Sequence, residues 1–303
     1  RMPPTRTAPM STTSSYSSNQ HGTTTHSSSE SGSAGGNRPW LNVLARRQPL
    51  ATGIDAARLD NVWAWNVGLT ILHAVQGVAI MALGTGFRIP ITAAFPDGPP
   101  GSALPAPGKQ FNVDVGVMVG VFLLLAALDH GLTASVFRGR YEKDLALGIN
   151  RFRWIEYAIS ATIMISLISL YTGMTQFVTQ LGVIGCNVSM IMFGHLQEKM
   201  NPPSRTETTY TPFIFGCFAG IIPWIGLWFQ IIGSSTVPGF VYGIIISEFI
   251  LFFSFGVNQL LQYLGVGWWA SYGFGEKVYL VLSLVAKSVL AWQIYGGSLS
   301  DDE

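Results

Sequence analysis

The stretch VYLVLSLVAKSVLAWQIYGG, Val278–Gly297, decides the fold. It has the ~20 mostly apolar residues that a helix needs to cross a bilayer, and its one charge, Lys287, sits in the middle. Snorkelling offers little relief, because about nine apolar residues on each side, at ~1.5 Å per residue, leave the nearer interface some 13 Å away. A free ammonium at that depth is costly, so an intramembrane lysine reads as a functional site. Lysine can also condense with an aldehyde to form a covalent adduct.

Working outward, the rest of the chain has the same character. Of 303 residues, 49% are hydrophobic and 11% charged, against a usual charged share of ~25%. Six further apolar runs are long enough to span: Leu59–Leu83, Val113–Phe137, Trp154–Thr172, Phe177–His195, Tyr210–Ile232 and Phe240–Leu264. Open strands cannot cross lipid, so all seven are expected to be helices. The fold class is therefore an all-α membrane protein of seven transmembrane helices. The first loop, about Gly84–Gln110, carries FRIPITAAF before the turn-forming PDGPPG, and a short strand is expected there.

Fourteen lysines and arginines fall in the N-terminal segment and the second, fourth and sixth loops, against two, Arg88 and Lys109, on the opposite side. Positive charge stays inside, so the N-terminus is expected to be cytoplasmic and the C-terminus outside. A net charge of +1 without a basic block argues against a nucleic-acid partner. Cys186 and Cys217 lie in apolar runs and indicate no disulfide framework. Residues 1–37 are rich in Ser, Thr and Gly; residues 1–50 are expected to be disordered, and residues 51–303 to form the seven-helix domain. The head lacks the apolar stretch of a secretory signal, its composition is compatible with a transit peptide, and a start upstream of Arg1 stays open.

With so few charges, each intramembrane polar residue is weighed. Glu156 is the one carboxylate of the third span. It would suit a buried cation, or it would pair with Arg151 or Arg153 at the interface. It lies near the start of its run whereas Lys287 is mid-span; a third helix beginning near Asp144 would reconcile the depths. Ser283 is one turn before Lys287 on the same face, and Ser160 one turn after Glu156. His73 and His130 are candidate proton carriers, or simply histidines bonded to neighbouring helices. His195, next to Glu198, is expected at the interface. Glu248 in the sixth span is either a protonated structural acid or a step in a proton path. Aromatic side chains crowd the later spans (Trp224, Trp228, Phe229, Phe252, Phe253, Phe255). No metal set and no enzymatic constellation emerge.

A buried lysine in the last of seven spans is what covalently bound retinal requires. RWIEYAISATIMISLI, IGCNVSMIMFGHLQE and GEKVYLVLSLVAKSVLAWQIYGG resemble the heliorhodopsins over about residues 59–297. The resemblance implies a light-sensing pigment with all-trans retinal as a protonated Schiff base on Lys287, Glu156 as counterion and Ser283 beside it. It also implies His73 and His130 in a polar cavity, Asn187 and Met190 along the retinal, and a first-loop β-hairpin packing across a homodimer. Where pumping rhodopsins carry a carboxylate before the lysine, this chain has Ser283; Leu167 stands at the proton-donor position. A slow photocycle without pumping, read by a cytoplasmic signalling partner, is the expectation. Two alternatives stay open: a light-gated proton channel using Glu248, and a retinal-free seven-helix transporter or receptor in which Lys287 pairs with Glu156.

Overall fold

The computed structural model describes residues 52–299; the expected disordered segment 1–50 lies outside them. Among these residues seven helices are long and apolar enough to cross a membrane. They are α1 (Ala56–Leu83), α2 (Val115–Ala134), α4 (Arg151–Tyr171), α5 (Phe177–Met200), α6 (Thr211–Gly233), α7 (Gly239–Leu264) and α8 (Tyr272–Ile294). Between α2 and α4 lies α3 (Arg138–Ala146), a short helix not expected from the sequence. It buries Tyr141 and Leu145 against Val62, Leu69 and Tyr272, and its other face is largely polar.

Capping residues set several starts. Asp55, Asp114 and Asn150 each accept a hydrogen bond from the amide three residues on, at 2.8, 3.2 and 3.0 Å, satisfying donors that a helix start leaves free. Asp114 explains why the second span begins later than Val113, since that residue still belongs to a strand. The idea that the third helix reaches back to Asp144 fails: α3 ends at Ala146, Gly148 takes a φ of +69° that favours glycine, and Asn150 starts α4 afresh. The seventh helix begins at Tyr272 rather than Val278, and a π-helical turn, Tyr295–Leu299, continues it. The fourth continues past His195 to Met200.

The expected hairpin is present. β1 (Arg88–Ala93) and β2 (Gly108–Asp114) pair antiparallel, from Arg88↔Asp114 to Ala93↔Gly108, with an irregularity between Ile91 and Thr92. Ile89 and Ile91 turn inward to the main core, while β2 is mostly exposed. Thr92 bonds the carbonyl of Thr175 at 3.0 Å, tying the hairpin to the α4–α5 turn. This is the hairpin end of the bundle; the opposite end, with Arg138, Arg140 and Lys143 on α3, is the basic end.

Candidate functional site

Lys287 is 2% exposed, in α8. Its side chain runs back toward the start of its helix, as helical side chains do, and Nζ donates to Ser283 Oγ at 2.7 Å. That displacement closes the depth gap to Glu156. Nζ stands 3.4 Å from Glu156 Oε1 and 3.5 Å from Oε2, with both side chains buried. The ammonium also lies 5.0 Å from the centre of the Tyr157 ring, within cation–π range. A buried ion pair persists only when its partners are well satisfied, yet Glu156 Oε1 has no hydrogen bond and the neighbouring Ser160 hydroxyl is unpartnered.

Lys287 and Ser283 line a cavity whose walls come from α4 to α8. Tyr157, Met164, Met190, Trp224 and Phe252 are among its lining. Two glycines shape it. A Cβ at Gly194 would run into the Trp154 ring, and one at Gly220 into the thioether of Met190. Trp224 packs edge-on against Phe249 and Phe252, with centroids 5.3 and 5.5 Å away, so Phe252 joins the wall. Phe229 is 76% exposed on the outer face and takes no part. An apolar, aromatic slot with an amine in its wall suits a flat polyene aldehyde: the rings would flank it, and the lysine would supply the nucleophile.

The remaining expected residues distribute as follows. His73 and His130 stack at 5.8 Å with an interplanar angle of 8°. His130 Nδ1 meets Asn66 Oδ1 at 2.7 Å, whereas both His73 nitrogens are buried without a partner. Asn66 also bonds the Tyr141 hydroxyl on α3, which burial pushes well above its ordinary titration range. A polar chain thus runs from the histidines to the basic end. Met190 lines the cavity; Asn187 is buried beside it and donates to Thr162 Oγ1 at 2.9 Å, outside the lining. Glu248 is fully buried in α7, and neither of its oxygens has a partner.

Neither Arg151 nor Arg153 pairs with Glu156. Arg151 bonds Asp144 at 3.2 Å. Arg153 is buried between Glu198 of α5 and Glu276 of α8. In the sequence Arg153 reads as a loop residue and Glu198 as part of a helix end, while Glu276 precedes the apolar run of the last span. Spacing carried the missed signal: Glu276 and Ser283 are two turns apart on one face of α8.

The family model described as Heliorhodopsin matches residues 62–299. No curated protein matches the chain.

Proposed function

The chain belongs to the heliorhodopsin family, retinal-binding light-sensing rhodopsins of the photoreceptor type rather than a known enzyme family, and from that premise we propose that Lys287 holds all-trans retinal as a protonated Schiff base with Glu156 as counterion. The observation that carries the reading is the buried Lys287 amine in the wall of an aromatic cavity, 3.4 Å from the Glu156 carboxylate. When bound, retinal supplies light absorption and isomerisation to the 13-cis form. The chain supplies the rest. Glu156 balances the positive charge in a low-dielectric site, Ser283 hydrogen-bonds the nitrogen, and the aromatic walls restrict the polyene to one path.

Ser283 and the apolar, 1% exposed Leu167 occupy positions where a pump would need acids. Vectorial transport then has no relay, and a slow photocycle without ion pumping follows. The stacked His73–His130 pair, with His130 held by Asn66, is the group that receives a proton leaving Lys287. By the distribution of lysine and arginine the basic end is cytoplasmic, and α3 is the surface a signalling partner would read. The hairpin mediates a homodimer.

The test is an absorption spectrum after adding all-trans retinal to the purified protein and to Lys287→Ala. A visible band in the wild type and none in the variant is expected. No band in either would return Lys287 to a structural ion pair, as in the retinal-free alternative.

One observation favours a second reading, a light-gated proton channel: Glu248 is a buried acid with both oxygens unpartnered. Photocurrents that follow the proton gradient and vanish in Glu248→Gln would support it; well-expressing cells without photocurrent would dismiss it.

A further inference from the structure

One turn from Glu156 toward the basic end, the terminal nitrogens of Arg153 each bond one carboxylate, Glu198 on one side and Glu276 on the other. All three side chains are at most 5% exposed. Two carboxylates and one guanidinium leave one negative charge uncompensated, and burial makes such a charge expensive.

The groups facing the pair do not supply the missing positive charge. Asn150 and Trp154 face it from α4, Tyr272 and Tyr279 from α8, Gln262 and Tyr263 from α7, and Tyr141 from α3. His195 on α5 lies within electrostatic reach of Arg153 and is half-buried. Arg151 turns to Asp144, and Lys199 is exposed.

Hydrogen bonding separates the two acids. Glu198 accepts four bonds: from Arg153, from the Tyr272 hydroxyl at 3.2 Å, from the Asn150 amide at 3.0 Å and from the Trp154 indole at 2.5 Å. Glu276 accepts two, from Arg153 and from Asn150 Nδ2 at 2.9 Å. Independently, the Gln262 amide is buried with neither of its atoms partnered. It presses on the turn that carries Glu276: a Cβ built on Gly275 would lie 3.0–3.3 Å from its atoms.

We propose that Arg153, Glu198 and Glu276 form a proton-binding site at the basic end, in which the two carboxylates hold one proton between them. A shared proton removes the excess charge, and like carboxylates in one site bind it as a pair rather than singly. The site lies directly beneath the cavity. The Arg153 guanidinium is 3.9 Å from the Tyr279 ring centre and 4.7 Å from that of Trp154, and both rings line the cavity. Any shift of those rings moves the guanidinium between its acids and alters their hold on the proton. A proton store at this end is thereby tied to events around Lys287.

Infrared spectroscopy at neutral pH reads the site, because exposed carboxyls are then ionised and acid C=O bands report buried protonated groups alone. The measurement works on retinal-free protein, so failure of the pigment reading leaves it intact. Relative to wild type, Glu276→Gln is expected to lose one acid band that Glu248→Gln keeps, with circular dichroism unchanged. An acid region unaltered in Glu276→Gln overturns the proposal. Should that variant fail to fold, Glu276→Asp decides: a displaced band supports the site and an undisplaced one overturns it. In retinal-loaded protein, illumination is expected to shift the same band; no shift would overturn its link to the cavity.

Discussion

The Lys287 ammonium is hydrogen-bonded to Ser283 at 2.7 Å, closer than it stands to Glu156. A hydroxyl one turn back on the same helix thus shares with the carboxylate the work of stabilising the positive charge. A hydrogen bond to a charged group contributes ~1.5–3 kcal/mol. At ~1.36 kcal/mol per pH unit, Ser283→Ala should bleach the visible band at a pH roughly one to two units below wild type. An unchanged bleaching curve would mean that the serine bonds only its own helix once retinal is attached.

Glu156→Gln removes the compensating charge itself. A larger effect than that of Ser283→Ala is expected, with a substantial blue-shifted, deprotonated fraction already near neutral pH. Spectrum and titration both identical to wild type would reassign the counterion.

Much of this was legible in the sequence, for one physical reason. In lipid a single charge interrupts an otherwise uniform pattern, so Lys287, Glu156 and Glu248 stood out in their runs, and the seven spans followed from length alone. Helix ends were less legible. Asp114, Asn150 and Gly148 set them through local capping and backbone geometry, which hydropathy does not register. The Arg153 cluster was hidden because its members come from three separate helix ends. Each alone resembles an interfacial charge, and only the fold brings them together. Asn187 shows the same limit within a helix: it bonds Thr162 and is absent from the lining to which Met190, nearly one turn on, belongs.

Arg153→Ala should be among the most damaging single changes. Removing one partner of a buried ion pair costs about 3–5 kcal/mol, and here two carboxylates lose their common partner. Thermal bleaching of the pigment, or loss of helical signal in the retinal-free protein, should occur at clearly lower temperature. Arg153→Lys should recover little, because one ammonium cannot reproduce the two-sided fork of a guanidinium.

Gly194→Ala tests the cavity wall. The new methyl would meet the Trp154 ring, and forcing an extra carbon into packed surroundings costs about 1–3 kcal/mol. The indole must move, which also disturbs its bond to Glu198. A shifted absorption maximum together with lower thermal stability is expected. Normal values for both would show that the helices separate at no cost.

The proposed homodimer can be tested at the hairpin without touching the pigment. β1 is occupied on both sides, by β2 and by the bridge from Thr92 to Gln176. Among the described residues β2 pairs only with β1, so its other edge is open to a second chain. An exposed strand edge invites pairing, and two identical edges related by a twofold axis close the assembly. Phe111 lies on β2, 49% exposed, with its ring edge-on to Phe177 at 6.4 Å. Phe111→Lys would place like charges across the twofold axis. The wild type should then elute as a dimer in mild detergent and Phe111→Lys as a monomer, with the same visible band in both. Identical elution of the two proteins would remove the hairpin from the interface.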